Sequence, residues 1–166
     1  MPCLHIIYAS TSGNTEYVIT TLLDHLTSRR PDMAFECQRA ERAGADTLLR
    51  GDLVVLASGT WNTGGPEGQL NTHMHALLHE RAKDVALQGK PMTFISLGDD
   101  RYYFRTRCTE HFLRFQREHG ATLFLPPFIL VNEPYGQEEK IRLWGDKLLK
   151  KLTESGLLPH GTGSNP

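Results

Sequence analysis

The sequence predicts a doubly wound α/β domain, a five-stranded parallel sheet with helices on both faces. Three observations predict it. Five short apolar runs recur along the chain, several of them continuous rather than alternating, as strands buried on both faces require. Between these runs lie helix-length segments whose apolar residues fall three and four apart. The composition, 39% hydrophobic and 22% charged over 166 residues, suits one well-buried core.

Taken in order, "LHIIYA" at 4–9 is the first strand, and Val18, Ile19, Leu22, Leu23 and Leu26 form the stripe of the first helix. "MAFECQ" at 33–38 is the second strand. The segment 40–51, "AERAGADTLLRG", has the weakest pattern and reads as a short helix. "LVVLAS" at 53–58 is the third strand, followed by a stripe of Leu70, Met74, Leu77 and Leu78. "MTFISL" at 92–97 is the fourth, followed by Phe104, Cys108, Phe112 and Phe115. "TLFL" at 122–125 starts the fifth, and whether it continues past Pro126 and Pro127 is open. Ile141, Trp144, Leu148 and Leu152 mark the last helix. The expected domain spans 1–153. Residues 154–166, ending "SGLLPHGTGSNP", read as a flexible tail because glycine, proline and serine follow the last stripe.

Eighteen lysines and arginines against nineteen acidic residues give a formal charge of −1, without the basic footprint of a nucleic-acid binder. No long apolar stretch argues for a membrane span or a secretion signal, so a cytoplasmic protein without nucleic-acid or membrane partners is expected. Cys3, Cys37 and Cys108 are odd in number and far apart, which reads as reduced thiols. His75 and His79 could share a helix face, yet no carboxylate or thiol completes a ligand set there, so no metal is expected.

The loop after the first strand, "STSGNTE", carries the chemistry. A loop leaving a parallel strand and entering a helix aims main-chain N–H groups from the positive end of the helix dipole, which favours an anion. Ser10, Thr11, Ser12, Asn14 and Thr15 add neutral donors, and Gly13 lets the main chain curl closely. A capped turn would need one such residue, not five. The loop lacks the Gly-Lys-Ser/Thr of a Walker loop and the three glycines of a dinucleotide fingerprint. A receiver domain would need an aspartate where Ser58 ends the third strand. A single phosphate monoester remains the best-suited anion.

"YASTSGNTEYV" resembles the phosphate loop of flavodoxins, and two further stretches resemble that family in the right order. "GTWNTGG" at 59–65 is similar to its first flavin loop, and "LGDDRYYF" at 97–104 to its second. "LWGDKLLKKL" resembles its last helix. The resemblance covers residues 3 to about 153, three loops at three successive strand ends. It implies strand order 2-1-3-4-5 and one FMN bound non-covalently. Ser10, Thr11, Ser12, Gly13, Asn14 and Thr15 would hold the phosphate, with Thr60 nearby. Trp61 and Tyr102 would stack on the two faces of the ring, Tyr103 being the competing choice for the second position. Gly98 and Asp99 would contact the pyrimidine edge, and Asn62, Thr63 and Gly64 would lie at flavin N5. No residue is assigned a catalytic role.

The implied function is an electron carrier between a flavodoxin reductase and an acceptor protein. An FMN-dependent NAD(P)H oxidoreductase of the quinone-reductase kind is the alternative, disfavoured because aromatic stacking on both faces obstructs hydride access. A flavin-binding interaction module is the third reading. The chain departs from the family in two ways. Family members tend to be strongly acidic, whereas this chain is near neutral and carries Arg101, Arg105 and Arg107 beside the second loop. The family's cysteine past the stacking tyrosine would come slightly late, at Cys108.

Overall fold

A computed structural model describes residues 2–61, 69–98 and 107–157, with Trp61 described by its main chain only. The strands are β1 (Cys3–Tyr8), β2 (Ala34–Arg39), β3 (Leu53–Trp61), β4 (Gln69–Leu70), β5 (Pro91–Gly98), β6 (Thr122–Leu123) and β7 (Phe128–Val131). The helices are α1 (Asn14–Arg29), α2 (Thr72–Ala76), continued by a wider turn over Leu77–Arg81, α3 (Cys108–Glu118) and α4 (Glu138–Glu154). The sheet runs β2-β1-β3-β5-β6, with β7 also parallel to β5 and the short β4 antiparallel to β3. This is the doubly wound arrangement the sequence predicts, and the chain reverses its direction of travel between β1 and β3.

Alternation along each central strand divides the core in two. Leu4, Ile6 and Tyr8 of β1, with Leu53, Val55 and Ala57 of β3, pack beneath α1 and α4. Ile7, Val54, Leu56, Met92 and Phe94 point to the opposite face, beneath α2 and α3. The predicted stripes fill these layers: Val18, Leu22 and Leu26 from α1, Ile141, Trp144, Leu148 and Leu152 from α4, and Cys108, Phe112 and Phe115 from α3 are all buried. Each such leucine or isoleucine contributes roughly 1.5–3 kcal/mol by leaving water. Phe104 lies outside the described residues.

Three expectations change in detail. Leu70 belongs to β4 rather than to the helical stripe, because the Asn71 side chain accepts from His73 N at 3.0 Å and starts α2 at Thr72. The segment 40–51 forms two single 3₁₀ turns, Ala40–Arg42 and Thr47–Leu49, interrupted around Gly44. The fifth strand continues past the prolines but in two pieces. Pro126 and Pro127 have no N–H to give the ladder, so β6 ends after Leu123 and β7 resumes at Phe128. Buried Thr93 partly fills the gap by donating Oγ1 to the Leu125 carbonyl at 2.9 Å. The tail beyond Leu157 lies outside the described residues, while Leu157 itself packs against the α1/α4 core.

Candidate functional site

The site lies at the carboxyl ends of β1, β3 and β5, which the parallel register brings level. Tyr8 pairs with Ala57, and Gly59 with Leu97. In an open α/β sheet, the crevice where the strand order reverses is where ligands bind. The loop Ser10–Gly13 leaves β1 there and enters α1, a 16-residue helix whose dipole points its positive end into the crevice.

Local chemistry explains the loop's shape. Gly13 precedes the helix with φ at 95°, a left-handed conformation in which a side chain is strained. Ser10 caps the turn from the other end, its Oγ accepting from Gly13 N at 3.1 Å and from Glu16 N at 3.3 Å. Tyr17 N already donates to Gly13 O. The amides of Ser12, Asn14 and Thr15 find no acceptor among the described residues, although a helix start normally satisfies such donors. Thr11 and Ser12 are exposed and Thr15 is buried, so exposed hydroxyls and unused amides share one short loop.

This donor set fits a terminal phosphate. It offers neutral main-chain N–H groups, hydroxyls and a helix terminus, all of which donate to oxygens that only accept. The loop itself holds no lysine or arginine, and a cation from β2 stands beside it. Arg39, at the end of β2, donates from Nη1 to Ser10 O at 3.2 Å and from Nη2 to Glu16 Oε2 at 3.0 Å. Its guanidinium lies 5.3 Å from the Tyr8 ring centroid, and the Tyr8 hydroxyl donates to Glu16 Oε1 at 3.3 Å. Burial is the main cause that pushes the Tyr8 phenol above its ordinary pKa, so it stays a donor.

The other two loop bases are braced from below. Thr60, the predicted neighbour of the phosphate, is tied to α3, its Oγ1 accepting from Cys108 N at 3.4 Å. The Cys108 thiol, pushed up chiefly by burial, stays protonated and lies 3.6 Å from the Ser58 carbonyl. Gly98, predicted at the ring's edge, accepts at its carbonyl from Asn132 N at 2.7 Å; Asn132 adopts φ of 70° just after β7. Across the first loop, Thr60 pairs with Leu70 and Trp61 with Gln69, so β4 holds the two ends of that loop together. Asn62, Thr63, Gly64, Asp99, Tyr102 and the rival Tyr103 lie outside the described residues, as do Arg101 and Arg105. Arg107 is described and pairs with Glu110 at 3.5 Å.

Sequence reasoning missed Arg39, Asn71 and Asn132. Asn71 carried a legible signal, an N-cap residue directly ahead of a helical stripe. Arg39 and Asn132 carried none, because each reaches the site only through strand order.

The comparisons with known proteins agree with this fold. The sequence model of the family described as Flavodoxin matches residues 6–144. A probable flavodoxin 2 of Bacillus subtilis (strain 168) is 26% identical over 139 residues, covering 81% of this chain and 85% of that protein. The crystal structure of oxidised flavodoxin 2 from Bacillus cereus superposes with a TM-score of 0.78 at 26% identity, over 91% of this chain and 99% of that one. Oxidised flavodoxin 1 from the same organism gives a TM-score of 0.77 at 22% identity, over 89% and 97%. With the family match spanning most of the sequence, and relatives and solved structures that are themselves flavodoxins, the chain belongs to the flavodoxins, FMN-binding electron carriers that work with redox partner proteins.

Proposed function

We propose that this protein shuttles electrons in the cytoplasm between a flavodoxin reductase and an acceptor protein, holding FMN by the loop Ser10–Thr15. The observation that carries this reading is the set of unused amides of Ser12, Asn14 and Thr15 at the start of α1, beside the exposed Thr11 and Ser12 hydroxyls. FMN supplies the redox chemistry when bound, and the protein supplies binding, orientation and electrostatics. Gly13 lets the loop close around the phosphate, and Thr60 stands at the next strand end. By family resemblance, Trp61 and Tyr102 would stack against the bound ring and exclude water from its faces. By the same resemblance, Gly98 and Asp99 would meet its pyrimidine edge, and Asn62, Thr63 and Gly64 would lie at N5. Asn132, donating to the Gly98 carbonyl, keeps the second loop's base in place. No helix among the described residues is long and apolar enough to cross a membrane, in keeping with a diffusing carrier.

The test is to mix FMN-loaded protein with NADPH or NADH, with and without a flavodoxin reductase, and follow the visible flavin absorption. A carrier bleaches only when the reductase is present and recovers on meeting an oxidised acceptor protein. Rapid bleaching by NADPH or NADH alone would overturn the carrier reading.

A further inference from the structure

Asn71 is 1% exposed and lies far in sequence from the phosphate loop, yet its side chain is bonded to it. Its main-chain N donates to Ser58 Oγ at 3.0 Å, and Ser58 Oγ in turn donates to Gly59 O at 2.9 Å. Its Oδ1 accepts from His73 N at 3.0 Å, and its Nδ2 lies 2.8 Å from Thr11 Oγ1. The direction of these bonds is forced. A main-chain N–H can only donate, so the amide atom facing His73 is the oxygen, and the atom facing Thr11 is the NH₂ group. The Thr11 oxygen must therefore accept, and its own proton is turned elsewhere. Thr11 is exposed in the crevice, on the same loop as the unused amides of Ser12, Asn14 and Thr15.

We propose that Asn71 is a positioning residue for ligand binding: by donating to Thr11 Oγ1, it fixes that hydroxyl as a donor to the terminal phosphate of the flavin. The inference rests on the phosphate-loop reading of residues 10–15. It also couples two loops, since Ser58, Asn71 and Thr11 link the end of β3 and the start of α2 to the loop after β1. A phosphate oxygen offers no proton, so a hydroxyl free to present its lone pairs would repel it in part of its rotation. Asn71 removes that option before the ligand arrives, at no cost in side-chain freedom because its other contacts already hold it.

Apoprotein of the wild type, Thr11→Val, Asn71→Asp, Asn71→Ala and the double variant Thr11→Val/Asn71→Ala is titrated with FMN and with riboflavin. Flavin fluorescence reads the binding, and circular dichroism checks folding. Asn71→Asp keeps the acceptor for His73 N but replaces the donor to Thr11 by an acceptor that captures the hydroxyl proton. The expected result is an FMN-to-riboflavin affinity ratio lowered about ten-fold or more, the effect of one hydrogen bond to a charged group. Asn71→Ala, which introduces no charge, should lower the ratio several-fold. In the Thr11→Val background, Asn71→Ala should lower it little further, because the two residues act through one hydroxyl. A wild-type ratio in both Asn71 variants, or losses that multiply independently in the double variant, would overturn the role of Asn71. A wild-type ratio in Thr11→Val would instead overturn the phosphate-loop reading of Thr11 on which the inference rests.

Discussion

The Arg39 guanidinium spans from the end of β2 to the Ser10 carbonyl, at 3.2 Å, and to the Glu16 carboxylate, at 3.0 Å. One side chain thus ties the first residue of the phosphate loop to the first turn of the helix that follows it. Its planar fork makes both contacts at once, which a lysine ammonium cannot do as well. The Arg39 and Glu16 side chains are 34% and 46% exposed, so solvent screens the pair and its own worth is at most about 1 kcal/mol. Removing only the arginine, however, leaves an uncompensated carboxylate near a bound dianion. Arg39→Gln should therefore weaken FMN binding several-fold and leave riboflavin binding nearly unchanged. Adding Glu16→Gln should recover much of the loss. Equal effects on the two flavins, measured by fluorescence titration, would remove Arg39 from the phosphate's surroundings.

Much of this architecture is legible in the residues, and the illegible parts share a cause. The continuous runs "LHIIYA" and "LVVLAS" identify central strands because only a strand buried on both faces tolerates apolar residues at every position. The loop "STSGNTE" is legible because its donors are local: strand, turn and helix start follow one another within a few residues. Arg39 is not, since nothing local in "ECQRAE" says that β2 will lie beside β1 and deliver that side chain to Ser10. Asn132 is hidden in the same way behind a strand broken by Pro126 and Pro127, whose second half pairs with β5 only in three dimensions. Leu70 misleads because a two-residue strand has no period of its own, and its spacing to Met74 imitates a helix.

Helix α4 meets α1 across a glycine. A Cβ built at Gly145 would lie 3.1 Å from Leu22 Cδ1, 3.2 Å from His25 Cδ2 and 3.5 Å from Leu26 Cδ2, and Leu22 is fully buried. A larger residue would push α4 away from the helix that carries the phosphate loop. Gly145→Leu should lower the unfolding free energy by about 1–3 kcal/mol, the usual cost of overfilling a packed interface. Gly145→Ala should cost less, because the gain in helix propensity of roughly 1 kcal/mol offsets the contact. Urea unfolding measures both, and a Gly145→Leu protein as stable as the wild type would contradict the close approach.

His5 is 2% exposed in the middle of β1, with Glu36 Oε2 3.7 Å from its Nδ1. Burial lowers its pKa below the ordinary 6.5; Glu36 opposes the shift, and Arg50 and Lys90 reinforce it. The folded protein therefore holds His5 neutral where the unfolded chain would protonate it. As pH falls below 6.5, the unfolded state gains protons that the folded state refuses, so stability falls until the lowered folded pKa is reached. The wild type should lose unfolding free energy as pH falls from 7 through 6.5 more steeply than His5→Gln, which cannot titrate. Parallel profiles would contradict a neutral buried His5.

The central claim is that the loop Ser10–Thr15 is built for one terminal phosphate, with unused amides of Ser12, Asn14 and Thr15 as its donors. Titrating apoprotein with FMN and with riboflavin, which differ only in that phosphate, tests it most directly. Two or more hydrogen bonds to a charged group, each worth about 1.5–3 kcal/mol, predict FMN binding at least about a hundred-fold tighter. Equal affinity for the two flavins would contradict the claim.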